Sequence, residues 1–248
     1  MNSCRLIIDS PAAGSWNMAV DQALMETADK TARSTLRLYS WQPATLSLGY
    51  FQNYDDRHGH TESLICDCVR RSTGGGAIVH HNELTYSLCV PSENRWSKKN
   101  AGLYDVIHRA TIDTLKQWEI QAQLFDTRHS SSPENPSAFL CFERRTPGDV
   151  ILDSFKIGGS AQRRTKHALL QHGSILLSKS IHAPQLPGIT DLAPRKINTQ
   201  EFSQAWVASV NQGLQFEISP GELSDEEIVS ATAIETNRFA ANHWNNKR

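Results

Sequence analysis

Apolar positions along this chain change period several times, and each change marks an element. Cys4 to Asp9 holds a short apolar run that reads as a strand, closed by Ser10, Pro11 and Gly14. From Ser15 the spacing becomes helical. Trp16, Ala19, Val20, Ala23 and Leu24 share one face, and Ser15 is placed to cap a helix reaching about Thr27. Leu36 to Trp41 and Thr45 to Tyr50, divided by Pro43, read as a hairpin or an adjacent strand pair. Residues 53–63 are polar and predict loop, followed by strands at Leu64 to Arg71, Ala77 to Val79 and Leu84 to Val90. Gly102 to Trp118 predicts a helix, with Leu103, Val106, Ile107, Ala110 and Leu115 among its apolar positions. Residues 126–137 are polar and turn-forming, a loop free to move or to gate a site. Further strands are expected at Ala138 to Phe142, Asp149 to Leu152, Phe155 to Gly159 and Leu169 to Leu177. Beyond Pro194 the pattern predicts helices at Thr199 to Asn211 and Ser224 to Phe239. Ser224 caps the second, and Asp225, Glu226 and Glu227 complement the positive end of its dipole.

Strands followed by segregated helices indicate an α+β fold. Neither a repeat nor a linker divides the chain. Residues 1–248 are therefore expected to form a single domain, with a core over about 15–180 and a helical segment over about 195–240.

Composition narrows the function classes. Of the 248 residues 39% are hydrophobic, enough for a core. Lys and Arg number 25 against 26 Asp and Glu, a net charge of −1 that argues against general nucleic-acid binding. The opening Met-Asn-Ser-Cys-Arg-Leu-Ile-Ile-Asp has too short an apolar run for a signal peptide, and no stretch of about 18 apolar residues predicts a membrane span. Five cysteines, an odd number, suggest no disulfide scaffold, so a reducing cytoplasm is the expected compartment. Cys66 and Cys68 would share one strand face, but without further ligands at suitable spacing they read as core rather than as a metal site.

Three places carry candidate chemistry. Between Arg70 and Ser87 stand Gly74, Gly75 and Gly76, with Arg70 and Arg71 before them and His80 after. Glycines allow positive φ and the close approach of a ligand, yet the same string can be an ordinary tight turn. His80 is equally readable as a titrating group or as a structural histidine. Cys141, in Phe-Leu-Cys-Phe-Glu, is either a small buried hydrophobe or an acyl nucleophile, and Lys156 either an edge residue or its partner. Two basic clusters, Arg144–Arg145 and Arg163, Arg164, Lys166 and His167, are solvated turns or a docking surface for an acidic partner.

The string Arg-Arg-x-Thr-Gly-Gly-Gly-Ala-x-x-His, followed by Glu-Leu-Thr-Tyr-Ser, closely resembles the signature of the biotin/lipoate protein ligase superfamily. Leu-Tyr-Ser-Trp-Gln-Pro-Ala-Thr-Leu-Ser-Leu-Gly-Tyr-Phe-Gln matches the same family. The resemblance implies a mixed or antiparallel sheet flanked by helices, with the glycine loop walling an acyl pocket. Cys-Phe-Glu, Lys-Ile-Gly-Gly-Ser-Ala-Gln and the run from Gln171 to Leu177 look like the cysteine-dependent octanoyltransferase branch. In that branch the residue matching Cys141 carries the acyl group as a thioester. The residue matching Lys156 lowers the cysteine's pKa and faces the acyl carbonyl. The pocket positions implied are Arg71, Thr73, Gly74, Gly75, Gly76, His80, Gly158, Gly159, Ser160 and Ala161. Asp149-Val150 only partly matches the family's acid–hydrophobic element.

The implied reaction takes octanoyl from octanoyl-acyl carrier protein to a lysine of a lipoyl-domain protein such as glycine cleavage H protein, in lipoate assembly. It needs no cofactor, ATP or metal, and a monomer is favoured. The alternatives are an ATP-dependent lipoate-protein ligase that leaves Cys141 idle, an amidotransferase between lipoyl domains, and a non-catalytic acyl-binding protein.

Overall fold

The computed structural model describes residues 2–98, 102–126, 137–193 and 196–247. The polar stretch expected to be a mobile loop falls, over 127–136, outside the described residues. Strands β1 (Asn2–Ile8), β2 (Ser34–Tyr39), β6 (Glu83–Pro91), β7 (Ala122–Leu124), β8 (Val150–Leu152), β9 (Phe155–Arg164), β10 (Ala168–Leu176) and β11 (Phe216–Pro220) form one sheet in the order β11-β1-β2-β6-β10-β9-β8-β7. β1 runs parallel to β2 and β11, and the remaining pairs are antiparallel. A second, three-stranded sheet sets β3 (Thr45–Leu48) between β4 (Asp67–Arg70) and β5 (Ile78–His80).

Helices cover both faces of the larger sheet, the mixed sheet flanked by helices that the sequence implied. α1 (Gly14–Thr31) buries Ala19, Val20, Ala23 and Leu24 with Tyr39, Trp41, Cys89 and Leu170 on one face. α2 (Leu103–Lys116), the short α3 (Ile189–Leu192) and α4 (Thr199–Leu214) belong to the other face. Ile107, Phe202, Trp206 and Val210 fill its core against Leu36, Tyr86 and Leu169. α5 (Asp225–Ile234) lies along α1, continues through a π turn at Glu235–Phe239 and is followed by α6 (Asn242–Asn245). No helix of the described residues is long and apolar enough to cross a membrane.

Several expectations need correction. β2 and β3 are neither a hairpin nor neighbours. β2 pairs with β1 and β6 in the large sheet, and β3 turns away into the small one past the cis Gln42–Pro43 bond. The strand expected from Leu64 begins only at Asp67, because residues 61–66 make a 3-10 turn and a bend. Cys66 therefore precedes the strand instead of sharing a face with Cys68. Ala138 to Phe142 is not a strand. Only Leu140 bridges to Ala77, and Cys141–Glu143 is one 3-10 turn.

Ser15 is not the cap of α1. Its hydroxyl donates to Glu235 Oε1 at 2.6 Å, while the N-cap position is Ala13. Ser224 does cap α5, in a capping box with Glu227.

Candidate active site

Cys141 is carried by the glycine turn. Ala77 N–H donates to Phe139 O at 2.9 Å, and Cys141 N–H donates to Ala77 O at 2.7 Å. A Cβ at position 76 would stand 2.9 Å from Cys141 N and 3.0 Å from Phe139 O, so this approach requires Gly76. The closest approach in the loop is elsewhere, at Gly49, where a Cβ would fall 2.0 Å from Gly75 O.

Arg71 stiffens the turn from beneath. It donates to Ser47 O at 2.6 Å, Ser47 Oγ at 2.7 Å, Gly76 O at 2.9 Å and Gly74 O at 3.3 Å. Burial pushes its guanidinium down to about 10, against the pull of Cys141 and Tyr39, so it stays charged at neutral pH. Its donors are directed at the protein's own oxygens.

Lys156 enters from β9 and is buried, 5% exposed. Its Nζ lies 2.8 Å from Asp149 Oδ2, 3.4 Å from Cys141 O and 3.8 Å from Cys141 Sγ. An ammonium has three donors, and these three neighbours account for them. Gly159 leaves room for the amine, since a Cβ there would lie 2.6 Å from Lys156 Cε. Asp149 accepts the Tyr104 hydroxyl at 2.8 Å on Oδ1, and Thr146 N–H at 2.8 Å and Oγ1 at 3.0 Å on Oδ2. Burial, and then the Asp149 charge, push the Tyr104 phenol far up, so it remains a donor. A buried cation at this distance stabilises negative charge on sulfur.

The half-buried thiol opens on a mostly apolar cavity of about 480 Å³, mouth included. Met18, Tyr39, Trp41, Ile78 and Phe142 supply its carbon surface. The arrangement can hold an acyl chain with its carbonyl beside a thiol and an ammonium.

A family model of the lipoyl protein ligase A/B catalytic domain matches residues 13–226. The chain belongs to this family. Relatives include octanoyltransferase LipM of Brevibacillus brevis, 29% identical with 100% of each chain covered. Octanoyltransferase LipM of Clostridioides difficile is 32% identical, with 92% of this chain and 93% of the relative covered. Among solved structures, a lipoate-protein ligase A bound with ATP superposes with a TM-score of 0.80 at 18% identity, covering 98% of both chains. A bipartite lipoate protein ligase of Thermoplasma acidophilum gives a TM-score of 0.74 at 18% identity, covering 99% of this chain and 97% of that one. At such identities the structural likeness speaks for the fold alone.

Within this lipoyl protein ligase fold, Arg71, Gly74, Gly75, His80, Gly159, Ser160 and Ala161 line the cavity with Cys141. Thr73, Gly76, Gly158 and Lys156 are not on its lining but support it. Thr73 hydrogen-bonds His172 at 2.7 Å, and Gly158 packs on Val150, which a Cβ would approach to 3.1 Å. Both halves of the open question about His80 have an answer in its contacts. It lines the cavity, and it is also tied down. Nδ1 faces Glu83 Oε1 at 2.6 Å, Nε2 faces Ser47 Oγ at 2.7 Å, and the ring stacks 3.7 Å from Trp41. Burial pushes its pKa down despite the pull of Glu83. With Nδ1–H donating to Glu83, Ser47 donates to Nε2.

Sequence reasoning assigned no role to His172, Asp21 or Tyr104 and gave Trp41 none beyond its place in a matched string. His172 lines the cavity, with Nδ1 3.2 Å from Asp21 Oδ2 and Nε2 2.7 Å from Thr73 Oγ1. Burial works against ionised Asp21, but His172 and Arg37 outweigh it and hold the carboxyl below its ordinary range. The signal for His172 and Trp41 was present in the matched motif strings. Tyr104 carried none beyond its helix, and Asp149 showed only as the partial match.

Proposed function

We propose that this chain is an octanoyltransferase working by covalent catalysis, with Cys141 as nucleophile and octanoyl-acyl carrier protein as donor. A lysine of a lipoyl-domain protein is the acceptor. The reading rests on one observation, the Lys156 ammonium 3.8 Å from the Cys141 thiol at an apolar cavity. The octanoyltransferase name shared by relatives that span nearly the whole chain supports it.

In the first step the Cys141 thiolate attacks the donor thioester carbonyl. A carbon–sulfur bond forms to Cys141, the bond to the carrier's sulfur breaks, and the carrier leaves as a thiol after taking a proton. In the second step the acceptor lysine's neutral amine attacks the octanoyl-cysteine. A carbon–nitrogen bond forms, the carbon–sulfur bond to Cys141 breaks, and the amine's proton passes to the departing sulfur. Lys156 stabilises the charge on sulfur and on the carbonyl oxygen in both steps, and Asp149 and Tyr104 hold it in place. Burying the carbons beyond the carbonyl contributes roughly 0.8 kcal/mol each, which orders the chain before reaction. Residues 1–248 act as one catalytic domain, in the cytoplasm.

Intact-mass analysis after mixing the protein with octanoyl-acyl carrier protein, without ATP, tests this reading. A hydroxylamine-sensitive octanoyl adduct that is lost in Cys141→Ser is expected. No adduct, with modification of a lipoyl domain only when ATP and free octanoate or lipoate are supplied, would make the chain a ligase and Cys141 a packing residue.

A further inference from the structure

Residues 235–247 fold back onto the glycine turn. Asn245 Oδ1 accepts Arg70 N–H at 2.8 Å, and its carbonyl accepts Arg70 Nε at 3.0 Å and Nη2 at 2.8 Å. Trp244 Nε1 donates to Arg70 O at 2.9 Å. This clamp brings two cations to the rim of the site. Arg238 Cζ lies 3.7 Å above the Trp244 ring, and Lys247 Nζ lies 3.3 Å above Tyr50 and 4.2 Å above Trp244. Tyr50 N–H in turn donates to Thr73 O at 2.8 Å, inside the turn. A third cation arrives from β9, where Arg163 Nη1 is 3.5 Å from Ser72 O. Phe51, 69% exposed, stands beside Gly74 and edge-on to Tyr50.

Like charges gathered on a chain of net charge −1 need a reason. Among the described residues, no carboxylate lies within ion-pair distance of Arg163, Arg238 or Lys247. Arg238 donates to neutral Gln22 at 2.8 Å, and Glu26 exerts only a longer-range pull. The Arg238 pKa is lowered by burial and then by the charge of Arg163, so each guanidinium feels the other's charge. Aromatic faces keep Arg238 and Lys247 in fixed positions without neutralising them. Such a set is preorganised for an anion arriving from outside.

We propose that Arg163, Arg238 and Lys247, with Phe51 as their apolar neighbour, form the docking surface for the donor, an acidic carrier protein. That protein brings the acyl thioester on a phosphate-bearing arm. The inference rests on the octanoyltransferase reading and deepens it. Arg163 lies against Ser72, Lys247 sits over Tyr50, which bonds Thr73 of the same turn, and Arg238 shares the Trp244 ring with Lys247, so carboxylates or the arm's phosphodiester seated there leave the thioester free to reach the thiol. Complementary charge at the rim acts chiefly on the encounter rate and weakens with salt.

The experiment compares Cys141 acylation, read by intact mass over time, from two donors: octanoyl-acyl carrier protein and the small neutral thioester octanoyl-N-acetylcysteamine. In Arg238→Glu/Lys247→Glu, the half-saturating carrier concentration is expected to rise about tenfold at low salt, and the salt dependence to flatten. The rate from the small thioester should change less than about twofold. Arg238→Lys/Lys247→Arg, which keeps the charges, should restore carrier use even if the aromatic stacking is disturbed. Arg163→Gln, which leaves the clamp untouched, should give a smaller effect of the same sign. Equal loss with both donors, or unchanged carrier kinetics in all three variants, overturns the docking surface. If only transfer onward to the lipoyl domain slows, the surface serves the acceptor and the proposal is wrong about its occupant. Failure of wild-type protein to react with either donor would count against the octanoyltransferase reading instead.

Discussion

Asp21 and Asp149 are two buried carboxylates, each 1% exposed, the first bonded to the cavity-lining Tyr39 and His172 and the second to Lys156 beside Cys141. Each accepts a tyrosine hydroxyl, Tyr39 at 2.9 Å and Tyr104 at 2.8 Å, and each faces a cation, Arg37 at 3.0 Å and Lys156 at 2.8 Å. The cations divide them. Arg37 spends its rigid fork inside the protein, on Asp9 at 2.6 Å and on Asn17 Oδ1 at 2.9 Å, and reaches nothing reactive. Lys156 satisfies Asp149 and still presents its ammonium to the Cys141 sulfur. The same buried acid–tyrosine pair thus holds an arginine wholly engaged within the protein in one place, and in the other a lysine whose ammonium still faces a thiol, the pair proposed above to be reactive.

The largest break in this comparison is expected from Lys156→Ala. Single-turnover acylation of Cys141 should fall by at least about 100-fold. Lys156→Arg should not restore it, because a planar guanidinium cannot place one compact charge between Asp149 and the Cys141 sulfur as the ammonium does. Recovery with arginine would show that charge alone suffices.

Exchange of the acids should separate them. Asp21→Asn should cost about 3–5 kcal/mol in urea unfolding by leaving Arg37 under-compensated. Because the folded protein holds Asp21 below the ordinary carboxylate range, its contribution is complete above about pH 3.9 and is lost as pH falls through the depressed value. The gap between wild type and variant should therefore be widest near neutrality and shrink in acid. A gap that widens in acid would mean the sign of the coupling is wrong. Asp149→Asn should instead register first in the acylation rate and its pH profile.

The smallest effects belong to the tyrosines. Tyr39→Phe and Tyr104→Phe should each cost about 1–2 kcal/mol in unfolding. Tyr104→Phe alone should also displace the pH profile of acylation, and identical profiles in the two variants would leave Asp21 and Asp149 functionally alike.

Most of the helices and central strands were legible in the sequence because their faces are amphipathic or wholly apolar over several turns. α2, α4 and α5 lie within a few residues of their expected bounds. What misled was local. Phe-Leu-Cys-Phe looks like a strand because its apolar content is high, yet Leu140 faces the small core while Cys141 is turned to the cavity by the Ala77 bridge. β11 went unseen because Phe216–Pro220 is a half-exposed edge strand ending in proline, with little pattern to detect. The thiol and the lysine were visible through their motifs. Their polar partners were legible at most in part: Asp149, in the turn before β8, showed only as the partial match, while Asp21 on α1 and Tyr104 on α2 reach their partners only through tertiary packing.

The clamp on Arg70 also has a consequence in time. Arg70 and Asn245 are 175 positions apart, so a ribosome adding about 5–20 residues per second makes the arginine roughly 9–35 s before its partner. Throughout that interval the nascent glycine turn lacks the contacts that hold it from behind. The back of the glycine turn is thus completed among the last parts of the described chain to be synthesised, so the turn is braced only when translation of this stretch is nearly over.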